Sequence, residues 1–163
     1  SAISFQINIP GRMEKFEIDG KGLVIVDYAH TPGAYTQLFK NVKNLSSPNS
    51  NLITVFGCGG NRDKDKRSLM GKIAGEYSNK VFITSDNPRN EKVEFICAQI
   101  TSGFINENYE IELNREKAIL SAIKLMDENS ILLVLGKGRD DYEEIGNEKF
   151  PHSDIGIIKS QIE

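Results

Sequence analysis

The chain alternates between short apolar runs of strand length and segments whose apolar positions recur every three or four residues. Leu52–Phe56 is a continuous apolar run, whereas the apolar positions after Pro32 have helical spacing. The predicted strands are Met13–Ile18, Leu23–Tyr28, Leu52–Phe56, Val81–Thr84, Glu110–Leu113 and Ile131–Leu135, and the predicted helices follow Pro32 or span Leu69–Tyr77, Val93–Phe104, Glu116–Met126 and Asp154–Ile162. The segment Asp19–Gly22 is typical of a hairpin connection between the first two strands. This alternation predicts an α/β fold with a mostly parallel sheet covered on both faces.

Size and charge narrow the class of protein. The 163 residues, 39% of them hydrophobic, suit a single domain with a real core. The 23 acidic and 20 basic residues are interspersed, so there is no basic field to hold nucleic acid or an anionic membrane. Cys58 and Cys97 lack the spacing of a zinc site or a redox dithiol and are predicted to be reduced core thiols. Without an apolar run of about 18 residues or a signal pattern, we expect a cytoplasmic protein.

Four loops that follow predicted strands concentrate small and charged residues. In open α/β sheets, ligands bind at the carboxyl ends of the strands, where these loops lie. They are "DYAHTP" (Asp27–Pro32), "FGCGGNRDKDKR" (Phe56–Arg67), "TSDNPRN" (Thr84–Asn90) and "LGKGRDDY" (Leu135–Tyr142). "TSDNPRN" sets a carboxylate, an amide, a proline and a guanidinium side by side, which is more chemistry than a turn requires.

The glycines at 57, 59 and 60 have two interpretations. They allow close backbone approach and could let amide groups face an anion, or they only turn the chain tightly. Their spacing matches neither a dinucleotide fingerprint nor a Walker A loop, and Gly136-Lys137 also lacks the context of a phosphate-binding loop. The chain therefore has no recognisable phosphate cradle of its own.

The histidines and one charged run carry weak signals. A lone loop histidine such as His30 is more often a capping or packing residue than a catalytic base, and both interpretations stay open on the sequence. His152 has no partner at metal-ligand spacing and is predicted to be solvated, and Lys64–Arg67 is predicted to be an exposed helix start. Neither histidine lies in a nucleophile motif.

Five stretches taken in order resemble one family closely. They are "IPGRMEKF", "VDYAHTP", "FGCGGNRDKDKRSLMG", "TSDNPRN" and "GKGRDDYEEIGNEKFPHSD", which together run from Ile9 to Asp154. The chain resembles the carboxy-terminal domain of the Mur ligases, of the UDP-N-acetylmuramoyl-tripeptide synthetase type. The resemblance implies one Rossmann-like, three-layer α/β domain over residues 1–163.

The resemblance also implies an activity for the complete protein. Such an enzyme is an ATP-dependent amide ligase of peptidoglycan synthesis, which phosphorylates the carboxylate of UDP-N-acetylmuramoyl-L-alanyl-D-glutamate and lets the amine of a diamino acid attack the acyl phosphate. ATP and Mg²⁺ would be bound mainly by a central ATPase domain and the UDP-sugar by an amino-terminal domain. We expect both domains to lie outside this chain, and we expect no catalytic residue or metal ligand within it.

Site residues follow from the matching motifs. The nucleotide-facing residues would be Arg12, Asp27 and His30. The amino-acid pocket would be formed by Arg62, Asp86, Asn87, Pro88, Arg89, Gly136 and Asp140. Arg89 would bind the distal carboxylate of meso-diaminopimelate, since arginine offers parallel donors to a carboxylate, and Asp140 would hold the distal ammonium. Pro88 is expected to keep Asn87 extended.

Two departures leave the amino acid open. The family commonly has "GKGHE" where this chain has "GKGRD", so that Arg139 replaces histidine and Asp140 a longer glutamate, and Asn61 replaces a common aspartate. An arginine in "DNPR" is associated with diaminopimelate addition. The alternatives are a lysine-adding or broader ligase, a folylpolyglutamate or cyanophycin synthetase domain, and a nucleotide-binding module without chemistry.

Overall fold

The computed structural model describes residues 12–162 and contains one main sheet, a small hairpin and five helices in that range. The strands of the sheet are β1 Glu14–Ile18, β2 Gly22–Asp27, β3 Asn51–Phe56, β4 Lys80–Ile83, β5 Tyr109–Ile111 and β6 Ser130–Leu135. The hairpin consists of β7 Tyr142–Ile145 and β8 Glu148–Pro151, and the helices are α1 Pro32–Leu45, α2 Asp65–Tyr77, α3 Val93–Thr101, α4 Arg115–Leu125 and α5 Asp154–Ser160. The strand order in the sheet is β1-β2-β6-β3-β4-β5.

The sheet is mostly parallel, as the sequence predicts. Only β1 pairs antiparallel, through the predicted hairpin connection to β2, and β2, β6, β3, β4 and β5 pair in parallel. Alternate residues of one strand face opposite layers, so Ile25 packs in a core with Phe39 of α1 while Val24 packs in a second core with Ile119 of α4 and Ile158 of α5. The predicted covering of both faces is confirmed.

Helix ends follow local capping chemistry. The Thr31 side chain accepts a hydrogen bond from the Ala34 amide at 3.2 Å, Pro32 opens α1, and Asn114 and Ser153 cap α4 and α5 in the same way. α2 begins four residues before the predicted Leu69, and α3 ends three residues before the predicted Phe104. No helix within residues 12–162 exceeds 14 residues or has the hydropathy that crossing a bilayer requires.

The hairpin β7–β8 is an element that sequence analysis does not predict. All four residues of β8 are exposed, so its composition has no apolar alternation to mark a strand. The hairpin docks beside the sheet by backbone hydrogen bonds, from Arg89 N to Glu144 O at 3.1 Å and from Gly146 N to Arg89 O at 2.7 Å. A segment far along the chain therefore completes the surroundings of the "TSDNPRN" loop.

Candidate functional site

The four motif loops converge at one edge of the sheet. β2, β6, β3 and β4 are neighbours and run in parallel, so the loops that follow them emerge side by side. Arg115, which is fully buried, links two of these strand ends: its Nη1 donates to Ser85 O at 3.1 Å and its Nη2 to Leu135 O at 3.0 Å. The buried Arg115 side chain thus fixes the position of the "TSDNPRN" loop relative to the "LGKGRDDY" loop.

A buried ion pair completes this support. Arg115 donates from Nε and Nη2 to the two carboxylate oxygens of Asp154, at 2.9 and 2.7 Å. Burial would raise the pKa of Asp154, but Arg115 and the hydrogen bond with His152 hold the pKa of this carboxyl well below its usual range. His152 Nε2 lies 2.6 Å from Asp154 Oδ1 and the His152 side chain is only 10% exposed, so the prediction of a solvated His152 is wrong. Its partner stands two residues along, at the start of α5.

Arg12, Asp27 and His30 are brought together at one cavity of about 360 Å³. Asp27 is buried, and its two oxygens accept from the backbone amides of Ala29 at 2.7 Å and Met13 at 2.9 Å. His30 is exposed, and its Nδ1 lies 2.9 Å from the Tyr28 carbonyl, which can only accept, so Nδ1 carries a proton and Nε2 is the acceptor when the ring is neutral. Asp27 thus anchors the start of β1, while the other two side chains are presented to solvent.

The Asp86–Arg89 loop has an unusual backbone. Asn87 and Arg89 have φ values of 46° and 52°, on either side of Pro88. The prediction of an extended Asn87 is therefore wrong. Its Oδ1 accepts from Lys137 Nζ at 2.7 Å and from Glu144 N at 2.9 Å, and its carbonyl accepts from Gly60 N at 2.9 Å. These bonds hold the left-handed conformation, which asparagine tolerates better than most residues.

Arg89 lies at the mouth of this loop with its side chain 18% exposed. Nε donates to Glu144 Oε2 at 3.1 Å and Nη1 donates to Gly60 O at 3.0 Å, whereas Nη2 has no hydrogen-bond partner in residues 12–162. Arg62 is exposed nearby: a Cβ atom added at Gly59 would lie 3.0 Å from Arg89 Nη1 and 3.5 Å from Arg62 Cγ. The two predicted arginines therefore border the same glycine, and Arg89 has donors left for a ligand.

Lys137 is a site residue that sequence reasoning missed. The side chain is fully buried, and Nζ contacts Asn87 Oδ1 at 2.7 Å, Tyr142 O at 2.9 Å and Asp86 Oδ1 at 3.6 Å. Burial raises the pKa of Asp86, and Arg115 and Lys137 oppose that rise. The signal was the "GKG" triplet, which the sequence analysis compared with a phosphate-binding loop and with the family pattern "GKGHE" without giving its lysine a role.

Gly136 adjoins the same carboxylate. It has φ of 109°, and a Cβ atom there would lie 2.4 Å from Asp86 Oδ2. Both the backbone conformation and the space therefore require glycine, which lets the strand end approach Asp86 closely.

Asp140, the residue predicted to hold the distal ammonium, contacts the loop that follows β2. Its Oδ1 is 3.5 Å from the hydroxyl of Tyr28, which also accepts from Arg139 N at 3.0 Å. Arg139 in turn donates to both oxygens of the buried Glu14, at 2.5 and 3.0 Å. The departure from the family pattern thus ties this loop to β1 and to the "DYAH" loop, on the Arg12 side of the site.

Arg67 is buried, so the prediction of an exposed helix start is wrong at that position. Nη1 and Nη2 donate to the two oxygens of Glu91 at 3.1 and 2.7 Å, and Nη2 also donates to Gly59 O at 2.8 Å. The hydrogen bond from Arg67 lowers the pKa of Glu91 to about 2, and Glu91 also accepts from the Asn61 amide at 2.7 Å. This pair fastens the glycine loop to the loop that carries Arg89.

Comparison with known proteins agrees with this architecture. The family model described as "Mur ligase, glutamate ligase domain" matches residues 11–138. The chain belongs to this Mur ligase family. A solved UDP-N-acetylmuramoyl-L-alanyl-D-glutamate--2,6-diaminopimelate ligase superposes on this Mur ligase domain with a TM-score of 0.86 and 37% identity, over 96% of this chain and 32% of that one.

Two further proteins are similar to the Mur ligase domain. The 2,6-diaminopimelate ligase of Aquifex aeolicus is 46% identical over 154 residues, which are 94% of this chain and 31% of that protein. A folylpolyglutamate synthase/dihydrofolate synthase of Yersinia pestis, solved with AMPPNP and a Mn ion, has a TM-score of 0.62 at 18% identity, over 79% of this chain and 28% of its own, which shows a shared fold only. The chain spans about a third of the length of the diaminopimelate ligases that it matches.

Proposed function

We propose that this chain is the C-terminal domain of a UDP-N-acetylmuramoyl-L-alanyl-D-glutamate–2,6-diaminopimelate ligase, and that it binds the incoming diamino acid and closes over ATP. Relatives of 42 to 46% identity have that name. The single observation that carries the proposal is Arg89, a partly exposed guanidinium with donors free at the strand ends. In the complete protein, ATP would activate the carboxylate of the UDP-sugar dipeptide and the amine of the diamino acid would displace phosphate from it.

Selection of the amino acid would depend on its distal end. Diaminopimelate has a distal carboxylate that lysine lacks, and Nη2 of Arg89 can donate to it. Asn87 would contribute as well, because both bonds to its side chain fall on Oδ1 and so orient the amide, leaving the Nδ2 donors for the ligand. With lysine in place, Arg89 would lose water without gaining a partner, which disfavours binding.

The cavity of Arg12, Asp27 and His30 would face the nucleotide. Arg12 and His30 are exposed and could contact phosphate oxygens, while Asp27 holds the backbone that carries Arg12. Residues 12–162 contain no grouping of three His, Cys, Asp or Glu side chains suited to a metal ion. By its resemblance to the Mur ligases, the complete protein would hold ATP and Mg²⁺ mainly in other domains, with this domain completing the nucleotide site from one side.

The test is Arg89→Ala in the full-length protein, with kcat/KM measured for meso-diaminopimelate and for L-lysine. We expect kcat/KM for diaminopimelate to fall by an amount equivalent to several kcal/mol of lost transition-state stabilisation, on the order of the loss when one partner of a desolvated charge pair is removed. The value of kcat/KM for lysine should change little, so the preference for diaminopimelate over lysine should shrink. Lys117→Ala, on an exposed position of α4, is the control.

Two outcomes would reject the proposal. A wild-type protein that prefers lysine would assign the domain to a lysine-adding ligase. An Arg89→Ala protein with an unchanged ratio between the two amino acids would remove Arg89 as the selector.

A further inference from the structure

Glu144 is the carboxylate that contacts Arg89 within residues 12–162. Oε2 of Glu144 lies 3.1 Å from Arg89 Nε, and the two side chains are 29% and 18% exposed. Successive residues of a strand point to opposite sides, and Glu143 and Ile145 of β7 line a cavity with Ser85 and Pro88. Glu144 therefore points to the other side, toward the guanidinium of Arg89.

The backbone of Glu144 also joins the hairpin to the Asp86–Arg89 loop. Glu144 N donates to Asn87 Oδ1 at 2.9 Å, and Glu144 O accepts from Arg89 N at 3.1 Å. An isolated bridge between Arg89 and Ile145 continues this pairing. The carboxylate is thus positioned by main-chain bonds at a half-open site, where it remains available to a second cation.

The distal carbon of a 2,6-diamino diacid carries an ammonium and a carboxylate together. Arg89 has Nη2 free for the carboxylate, and Glu144 lies along the adjacent Nε edge of the same guanidinium. A ligand carboxylate bound to Nη2 would bring the neighbouring ammonium close to Glu144. The ammonium needs an anionic partner there, because a charge removed from water without one pays a large desolvation penalty. The other candidate acid, Asp140, contacts Tyr28 instead.

We propose that Glu144 binds the distal ammonium, so that Arg89 and Glu144 together recognise the zwitterionic end of the diamino acid. This inference rests on the proposed function. It gives the hairpin β7–β8 a direct part in substrate selection, and it gives Arg89 and Glu144 different chemical targets on the same carbon atom.

Three substrates separate these targets in the full-length protein. meso-Diaminopimelate has both distal charges, L-lysine has only the ammonium, and L-2-aminopimelate has only the carboxylate. For Glu144→Gln we expect kcat/KM to fall about tenfold to a hundredfold with diaminopimelate and with lysine, the usual range for a lost charged hydrogen bond, and not with aminopimelate. Arg89→Ala should impair diaminopimelate and aminopimelate and not lysine. Where an analogue reacts too slowly, its inhibition constant against diaminopimelate replaces kcat/KM.

Controls distinguish the possible failures. Glu148→Gln, an exposed position of β8, should change none of the three values, and Glu144→Ala should repeat the pattern of Glu144→Gln. If Glu144→Gln leaves diaminopimelate and lysine unaffected, or if Asp140→Asn produces the ammonium-specific loss instead, Glu144 is not the partner. A wild-type protein that ligates diaminopimelate in that experiment keeps the proposed function intact, whereas one that ligates none of the three removes both.

Discussion

Replacing Glu91 by glutamine tests whether the Arg67–Glu91 pair supports the domain. Glutamine keeps the shape of the side chain but removes the charge that both Nη atoms of the buried Arg67 contact. A pKa of about 2 for Glu91, against an ordinary value of 4.5, corresponds to about 3 kcal/mol of stabilisation of the folded state. The Glu91 side chain is 19% exposed and lies 3.5 Å from the exposed Lys64, so solvent screens part of this interaction and we expect a contribution of about 1–2 kcal/mol.

The pH dependence of the difference identifies its cause. The pKa of Glu91 is lower in the folded chain than in the unfolded chain, so its contribution is fully present above pH 4.5 and is lost as the pH falls toward 2. Urea denaturation of the 163-residue chain at pH 7, 5 and 3 measures this. We expect Glu91→Gln to lower the free energy of unfolding at pH 7 and 5, and to differ less from wild type at pH 3.

A surface ion pair supplies the matched control. Lys80 and Glu110 lie 3.5 Å apart, with side chains 35% and 59% exposed, and exposed pairs contribute about 0–1 kcal/mol, so Glu110→Gln should leave stability nearly unchanged. The reasoning fails if Glu91→Gln is as stable as wild type at pH 7, or if its deficit is the same at pH 3 as at pH 7.

Three further predictions concern the chain and its loops. We expect no ATP hydrolysis by the isolated chain, because phosphoryl transfer needs a phosphate cradle and magnesium ligands, and steady release of phosphate by the purified chain would contradict this. Asp27→Ala should raise the KM for ATP in the full-length protein while the fold stays intact, with a modest fall in melting temperature because the Met13 and Ala29 amides lose their acceptor; unaltered ATP kinetics would count against the nucleotide assignment. Gly60→Ala should lower the free energy of unfolding by about 1–3 kcal/mol, because the added Cβ would lie 1.7 Å from Pro88 O. Gly33→Ala is the control, since a Cβ there meets nothing within 4 Å, and equal melting temperatures for the two variants would refute this packing argument.

The fold was predictable where burial follows a local period. Val24 and Ile25 face different layers of helices, so their strand is apolar throughout, and α1 shows its buried stripe and its proline start directly. The hairpin β7–β8 has no such pattern, because it is held by backbone bonds to Arg89 and its second strand is exposed. Backbone pairing of a mostly exposed segment leaves no trace in hydrophobicity.

The residues of the site could be selected from the motifs, but their partners could not. Arg67 is buried because Glu91 stands 24 residues further along, a distance that no local pattern reports. The conformation of Asn87 is set by Lys137, 50 residues away, against the local preference that Pro88 imposes. Long-range polar contacts override local rules at such sites, which is where propensity arguments are expected to fail.

The hairpin β7–β8 has a consequence for how this domain can vary. It stands outside the six-stranded sheet, and its docking uses main-chain atoms of Arg89, Glu144 and Gly146 together with the side chain of Asn87. The side chain at position 144 can therefore be exchanged while those bonds and both hydrophobic layers remain. If Glu144 binds the distal ammonium as proposed, a change of charge at this one position would alter the preference for the amino acid without requiring a new core, and substrate preference could then change faster in evolution than the fold.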